Sequence, residues 1–200
     1  MSVVEGSRRA GRVRRWLIGA AAGWLALLVG HYLAYPLSAV LPLGGLVVGA
    51  ACWVLAAGCS VAALVALLQR RAYGWATVVL LVAAGVGGVL WTTDWERVYV
   101  DSQFRLHRDG LDDLAAQHRA GTLPTDARLP WQLGHLSVDG QSHRSGDARY
   151  LPLWQDWRGE SGVGIAYFPT PPGPDTLIAT APGDVGQPVR HLGDGWWWVE

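Results

Sequence analysis

The apolar stretches long enough to cross a bilayer all fall in the first 91 residues, and that placement constrains the fold more than any motif does. Trp16 to about Tyr35 is one such stretch, broken by Pro36; Leu43 to Leu68 is a second; Ala72 to Trp91 is a third, twenty residues without a charge. A helix rises about 1.5 Å per residue, so twenty residues reach about 30 Å, the thickness of a hydrocarbon core. The sequence therefore predicts a membrane protein: a three-helix transmembrane bundle over residues 16–91 (spans 16–35, 43–68 and 72–91), preceded by a basic segment, 1–15, and followed by a polar domain, 92–200.

Charge divides the chain at the same place. Met1 to Trp91 carries seven Arg and one acid, whereas Thr92 to Glu200 carries nine Arg and fifteen acids, so the formal neutrality of the whole is a cancellation. Five Arg precede the first span (Arg8, Arg9, Arg12, Arg14, Arg15) and Arg70 and Arg71 separate the second from the third, while the linker around Pro36 has none. Arginine collects on the cytoplasmic side, so the N-terminus is expected in the cytoplasm and residues 92–200 outside the membrane. A cleavable signal peptide, suggested by Arg14-Arg15-Trp16-Leu17-Ile18, is the rival reading. It lacks a small-x-small cleavage site and leaves two further spans to explain. All sixteen basic residues are Arg, which points to a GC-rich bacterial source.

Small residues recur at four-residue spacing in each span: Gly19 and Gly23, Gly45 and Gly49, Ala84 and Gly88. Such faces let helices approach closely, within this chain or with a membrane-helix partner or second copy. His31, near Tyr32 and Tyr35, reads as an interfacial residue with no acid in the spans to complete a proton relay. Cys52 and Cys59 are seven helical residues apart, about 10.5 Å of rise, too far for a disulfide.

Beyond Trp91 the pattern changes. Thr93-Asp94-Trp95-Glu96 has capping-box spacing, and Val100, Phe104, Leu111 and Leu114 recur at helical intervals up to Gly121, with Asp109-Gly110 as a candidate break. From Pro130 onward short runs alternate with turn residues, predicting strands at Gln132–Val138, Tyr150–Trp157, Val163–Phe168, Thr176–Thr180, Val189–Leu192 and Trp196–Val199. Asp139-Gly140 reads as a hairpin turn. The expected domain is α+β, a helix packed on an antiparallel sheet.

No constellation in it specifies a reaction. His107 and His118 are about 16 Å apart along one helix, too far to share a metal, and a site combining His135, His143 and His191 would need the fold to assemble it. Asp156 and Glu160 flank Arg158 at a turn and form the best carboxylate pair for a hydrolase, but turn acids are common on solvated loops. Ser137, Ser142, Ser145 and Ser161 lie outside a Gly-x-Ser-x-Gly elbow, and Gly162-Val163-Gly164 lacks the rest of a phosphate loop. A net-acidic domain without a basic run argues against nucleic acid. No cofactor, metal or catalytic residue is assigned.

Tryptophan is the distinctive feature. Trp154, Trp157, Trp196, Trp197 and Trp198 fall in the strand region, and alternation puts Trp196 and Trp198 on one face and Trp197 on the other. These five are the candidate binding residues, an aromatic strip for an envelope protein or glycan, with burial in the core as the competing reading. The chain is expected to be a non-enzymatic, membrane-anchored extracytoplasmic binding or scaffold module of a bacterial cell envelope. The alternatives are an envelope hydrolase using Asp156 and Glu160, and an accessory subunit of a larger membrane complex.

Overall fold

The computed structural model describes the backbone of residues 2–34, 44–156, 158 and 160–200, with side chains from residue 14 in the first helix and from residue 46 in the second. Among the described residues there are five α-helices and an antiparallel sheet, a mixed α+β chain. They divide into two compact units, one ending at Trp95 and one running from Glu96 to Glu200.

The first unit holds α1 (Ser2–Tyr32), α2 (Gly44–Gln69) and α3 (Tyr73–Thr92). Two stretches, Leu46–Gln69 and Tyr73–Thr92, are long and apolar enough to cross a membrane. In α1 the basic turns and the apolar turns belong to one helix, and Arg15 on one side and His31-Tyr32 on the other confine its apolar stretch. The expected first span, Trp16 to about Tyr35, is not one of these two, and Tyr35 itself lies outside the described residues.

α1 packs on α2 through small residues. A Cβ on Gly19 would meet Cys59 Sγ at 2.8 Å, and one on Gly23 would sit 2.6 Å from the backbone nitrogen of Ala56. Ala20, Ala56, Cys59 and Ala63 are buried along this seam. Trp24 Nε1 donates to Ser60 Oγ at 3.1 Å, and Ser60 donates in turn to the Ala56 carbonyl, so each polar group has a partner inside an apolar bundle. Gly49 and Gly88 have no neighbour among the described residues within 4 Å of the Cβ position. Leu27, Ala56 and Leu90 form the common core with Trp24, Val86 and Trp95 around them. Arg70 and Arg71 occupy the turn between α2 and α3, where Arg71 takes the left-handed conformation and the Ala72 N–H returns to the Leu67 carbonyl.

The second unit opens with α4 (Trp95–Leu106) and α5 (Arg108–Arg119). The break comes at His107 and not at Asp109-Gly110. Gly110 lies inside α5, where its missing side chain admits Leu133 to within 3.1 Å of the Cβ position. A six-stranded antiparallel sheet follows, in the order β1-β2-β3-β4-β8-β7: β1 Asp126–Arg128, β2 Gln141–Ser145, β3 Ala148–Gln155, β4 Gly162–Tyr167, β7 Pro188–Gly193 and β8 Trp196–Val199. A separate ribbon pairs β5 (Ile178–Ala181) with β6 (Asp184–Gly186).

Register sorts the sheet's side chains into two faces. Arg149, Tyr167 and Trp196 are cross-strand neighbours, as are Leu151, Ile165 and Trp198. This face meets the helices: the Tyr167 ring lies 6.0 Å from His118 of α5, and a Cβ on Gly193 would touch Phe104 of α4. The opposite face gathers Ala148, Tyr150, Ala166 and Val199 with Phe168 and Ile178 of β5, and Trp197 packs against them. Two turns carry the backbone chemistry that hairpins need. Asp194 and Gly195 both have positive φ between β7 and β8, and Gly146 alone does so between β2 and β3.

The expected strand Gln132–Val138 is absent. Residues 134–136 form a 3-10 turn, with the N–H groups of Leu133 and Gly134 both returning to the Pro130 carbonyl. Leu133 and Leu136, three apart, are the buried pair, which is the period of a 3-10 turn and not of a strand. Asp139-Gly140 is accordingly a turn leading into β2, and the hairpin lies one strand later, at Gly146-Asp147.

Candidate functional site

The candidate tryptophans do not form one surface. Trp196 and Trp198 are 0 % and 1 % exposed and belong to the core beneath the helices, so they cannot contact a partner from solvent. Trp197 is half-buried on the other face with its ring 5.1 Å from His191. Trp154 is half-buried at the Pro152/Trp154 bulge of β3, and Trp157 lies outside the described residues. Among the described residues of this unit, Trp131 carries an exposed ring, at 85 %, on the turn before residues 134–136.

Asp156 and Glu160 are brought together by a turn and not across a cleft. The Asp156 carboxylate accepts the N–H of Glu160 at 2.7 Å and that of Ser161 at 3.4 Å, which commits it to holding the β3–β4 loop. Glu160 is exposed and lies 3.9 Å from Arg158.

The histidines are distributed over separate places. His107 and His135 are ring neighbours, 4.7 Å apart, a pairing that linear spacing hid. Partial burial, and then the charge of His107, holds His135 below the ordinary histidine value. His118 contacts the Asp147 carbonyl at 2.8 Å, and His191 stacks on Trp197. His143 stands between two acids, with Nδ1 2.8 Å from Asp126 and Nε2 2.8 Å from Asp139. The described residues contain no group of three His, Cys, Asp or Glu able to hold a metal ion. Burial works to raise Asp139, but hydrogen bonds from Ser137 Oγ, the Gln141 N–H and His143, with the imidazole's charge, hold it below the ordinary carboxylate value. This chain ties β1 to the turn that starts β2.

Two buried polar side chains were not legible from the sequence. Arg149, on β3, is 0 % exposed; its Nε donates to Ser142 Oγ at 2.9 Å, and its Nη1 to the carbonyls of Pro124 and Thr125 at 2.8 and 2.9 Å. Desolvation pushes its guanidinium below the ordinary value, against the opposing pull of Asp126. On the other face Tyr150 lies across Gly164, with burial and then the Asp184 charge raising its hydroxyl well above the usual tyrosine value.

The polar cavity with the most concentrated charge lies between the helices and the β7–β8 hairpin. It encloses about 390 Å³ and is lined by Arg97, Asp101, Phe104 and Arg105 of α4, Arg108 of α5, and residues 190–194. Arg97, Asp101 and Arg105 follow one another at four-residue steps and so share a helix face. Asp101 pairs with Arg190 and lies 3.9 Å from Arg97, while Asp194 pairs with Arg108. A second, more open groove of about 670 Å³ runs past His118, Arg144, Phe168 and the Pro169–Gly173 segment. The chain matches no known protein family, curated protein or solved structure.

Proposed function

We propose that the chain is a membrane-anchored binding or scaffold module, with α1, α2 and α3 as three crossings, a cytoplasmic N-terminus and residues 96–200 as an extracytoplasmic head in a bacterial envelope. The low burial of the apolar helices carries this reading. Within the candidate windows of α2 and α3 only 28 % and 11 % of residues are buried inside the protein, so neither is the core helix of a soluble domain. Leu46, Val47, Val54, Leu80 and Leu81 all face outward, an apolar area that water would not tolerate and lipid would. α1 joins them because its glycines dock it on α2 and because Ile18, Leu25 and Val29 also face outward. The arginines of residues 8–15 and 70–71 supply the orientation.

The test is a reporter at Glu200 in intact spheroplasts. Protease should remove it from outside without lysis; a reporter that is cut only after lysis would invert the sidedness and end the envelope role. For the head, incubation with cell-wall fragments should give binding without turnover. Turnover that is lost in Asp156→Asn would replace this reading with the hydrolase one.

A second reading, an accessory subunit of a larger membrane assembly, is favoured by one observation. An apolar groove of about 670 Å³ between α1 and α3, lined in part by Leu17, Trp24, Leu28, Val79 and Val86, is left open by the described residues. Crosslinking in native membranes should then capture a partner helix, with a yield that falls when the groove is filled by Ala21→Phe or Ala83→Phe.

A further inference from the structure

We propose that the arginine-lined cavity between α4, the start of α5 and the β7–β8 hairpin is a binding site for a phosphate-bearing ligand. The argument begins with charge. Of the nine Arg in residues 92–200, four line this one cavity, against two acids, Asp101 and Asp194. The cavity is therefore net positive by two, on a segment whose nine Arg and fifteen acids make it net negative by six. Random placement on an acidic domain would put acids, not arginines, in the majority.

A purely structural role, clamping the hairpin to the helices, accounts for part of the set. Arg190 with Asp101 and Arg108 with Asp194 form that clamp. It leaves two things over. Arg105 makes no hydrogen bond or ion pair among the described residues, although it faces the same cavity as the clamp. Arg190 is held by Asp101 through Nη1, while its Nη2 is buried without an acceptor among the described residues. A guanidinium donor taken out of water and left unpaired is costly, and an oxyanion that draws the Arg190 side chain toward the cavity removes that cost. A clamp alone would also be packed shut, whereas this space is in the size range of small-ligand pockets.

The chemistry selects phosphate. Guanidinium groups present paired N–H donors in a planar fork that matches two oxygens of a phosphate. Arg105 of α4 and Arg190 of β7 stand on two walls of the cavity, which suits a tetrahedral anion better than a planar carboxylate. Phe104, and Leu192 beside it, provide an apolar side for the organic part of a phosphate ester. Such a group is carried both by soluble phosphate esters and by anionic phospholipid headgroups, and Arg97 follows the end of α3 by only five positions in the chain. This inference goes beyond the module reading: a head that proved cytoplasmic would leave it standing.

The experiment uses the full chain in an uncharged maltoside detergent at low, constant salt, titrated calorimetrically with inorganic phosphate, with glycerol 3-phosphate, and with phosphatidylglycerol in mixed micelles. Saturable binding to the soluble phosphates assigns a soluble ester; saturable binding to the lipid alone assigns a headgroup; either supports the site. Arg105→Gln, at an exposed position outside the clamp, should weaken binding at least fivefold while the thermal unfolding of the protein is unchanged. Arg190→Gln should weaken it further. No saturable binding to any of the three probes, or affinity unchanged in Arg105→Gln, overturns the proposal.

Discussion

The backbone nitrogen of Ala56 lies where the Cβ of residue 23 would come within 2.6 Å, so α1 and α2 cross at a point that only glycine fits. Gly88 on α3 has the same small side chain and nothing within 4 Å of its Cβ position. The two glycines therefore make opposite predictions. Gly23→Leu should destabilise the helical unit by about 1–3 kcal/mol, the usual cost of overpacking, measured by denaturant titration of the full chain in detergent. Gly88→Leu should leave that stability unchanged. Equal loss from both would mean that the seam is not where α1 and α2 meet.

Arg149 should behave as a cross-link of the sheet and not as a surface charge. Its guanidinium reaches Ser142 on β2 and two carbonyls ahead of β1, so Arg149→Leu removes three hydrogen bonds at once and deprives the buried Ser142 hydroxyl of its donor. The expected loss is about 2–4 kcal/mol in urea unfolding followed by near-ultraviolet circular dichroism. Arg149→Lys should not restore it, because one ammonium cannot replace donors that point in separate directions. A Leu variant as stable as the parent would show that the buried cation holds nothing.

These residues also show what the sequence could and could not convey. The strands rich in Tyr, Val, Ile and Trp were legible because short runs of aromatic and β-branched residues between turn residues suit a pleated strand: Trp196–Val199 was expected and found with the same limits. β2, Gln-Ser-His-Arg-Ser, was not legible, since it contains no apolar residue; its fully buried position is Ser142, placed there to accept from Arg149. Charge cannot reveal a buried Arg in advance, because the rule that Arg is exposed fails only where partners from distant segments converge. For the same reason nothing in the spacing of Arg97, Asp101 and Arg105 announces that the β7–β8 hairpin supplies an opposite wall.

The tryptophans divide by burial, and substitution should follow that division. Trp196→Ala empties a site that is 0 % exposed and should cost about 3–5 kcal/mol, with the unit losing its cooperative transition. Trp131→Ala, at an 85 % exposed position, should leave stability within about 0.5 kcal/mol. A partner that uses the Trp131 ring for contact should accordingly be lost in the Trp131 variant without loss of fold, which a pull-down beside a melting curve will separate. A Trp131 variant that unfolds would place that ring in the core instead.

Acid should weaken the second unit in two steps with distinct owners. His135 titrates below the ordinary histidine value in the fold, because burial and His107 disfavour its charge. The unfolded chain then binds this proton more readily, so its contribution is complete above about pH 6.5 and is lost as pH falls through the folded value. Asp139 is also held below its ordinary value, 3.8, by Ser137, Gln141 and His143 acting against burial. Its contribution is present above that value and is lost as pH falls further. Urea unfolding of the full chain between pH 8 and 3 should therefore show an upper slope that disappears in His135→Asn and a lower slope reduced in Asp139→Asn. If His135→Asn leaves the upper slope intact, the proton taken up there on unfolding belongs to another group, and the His107–His135 pair is not the element that feels mild acid.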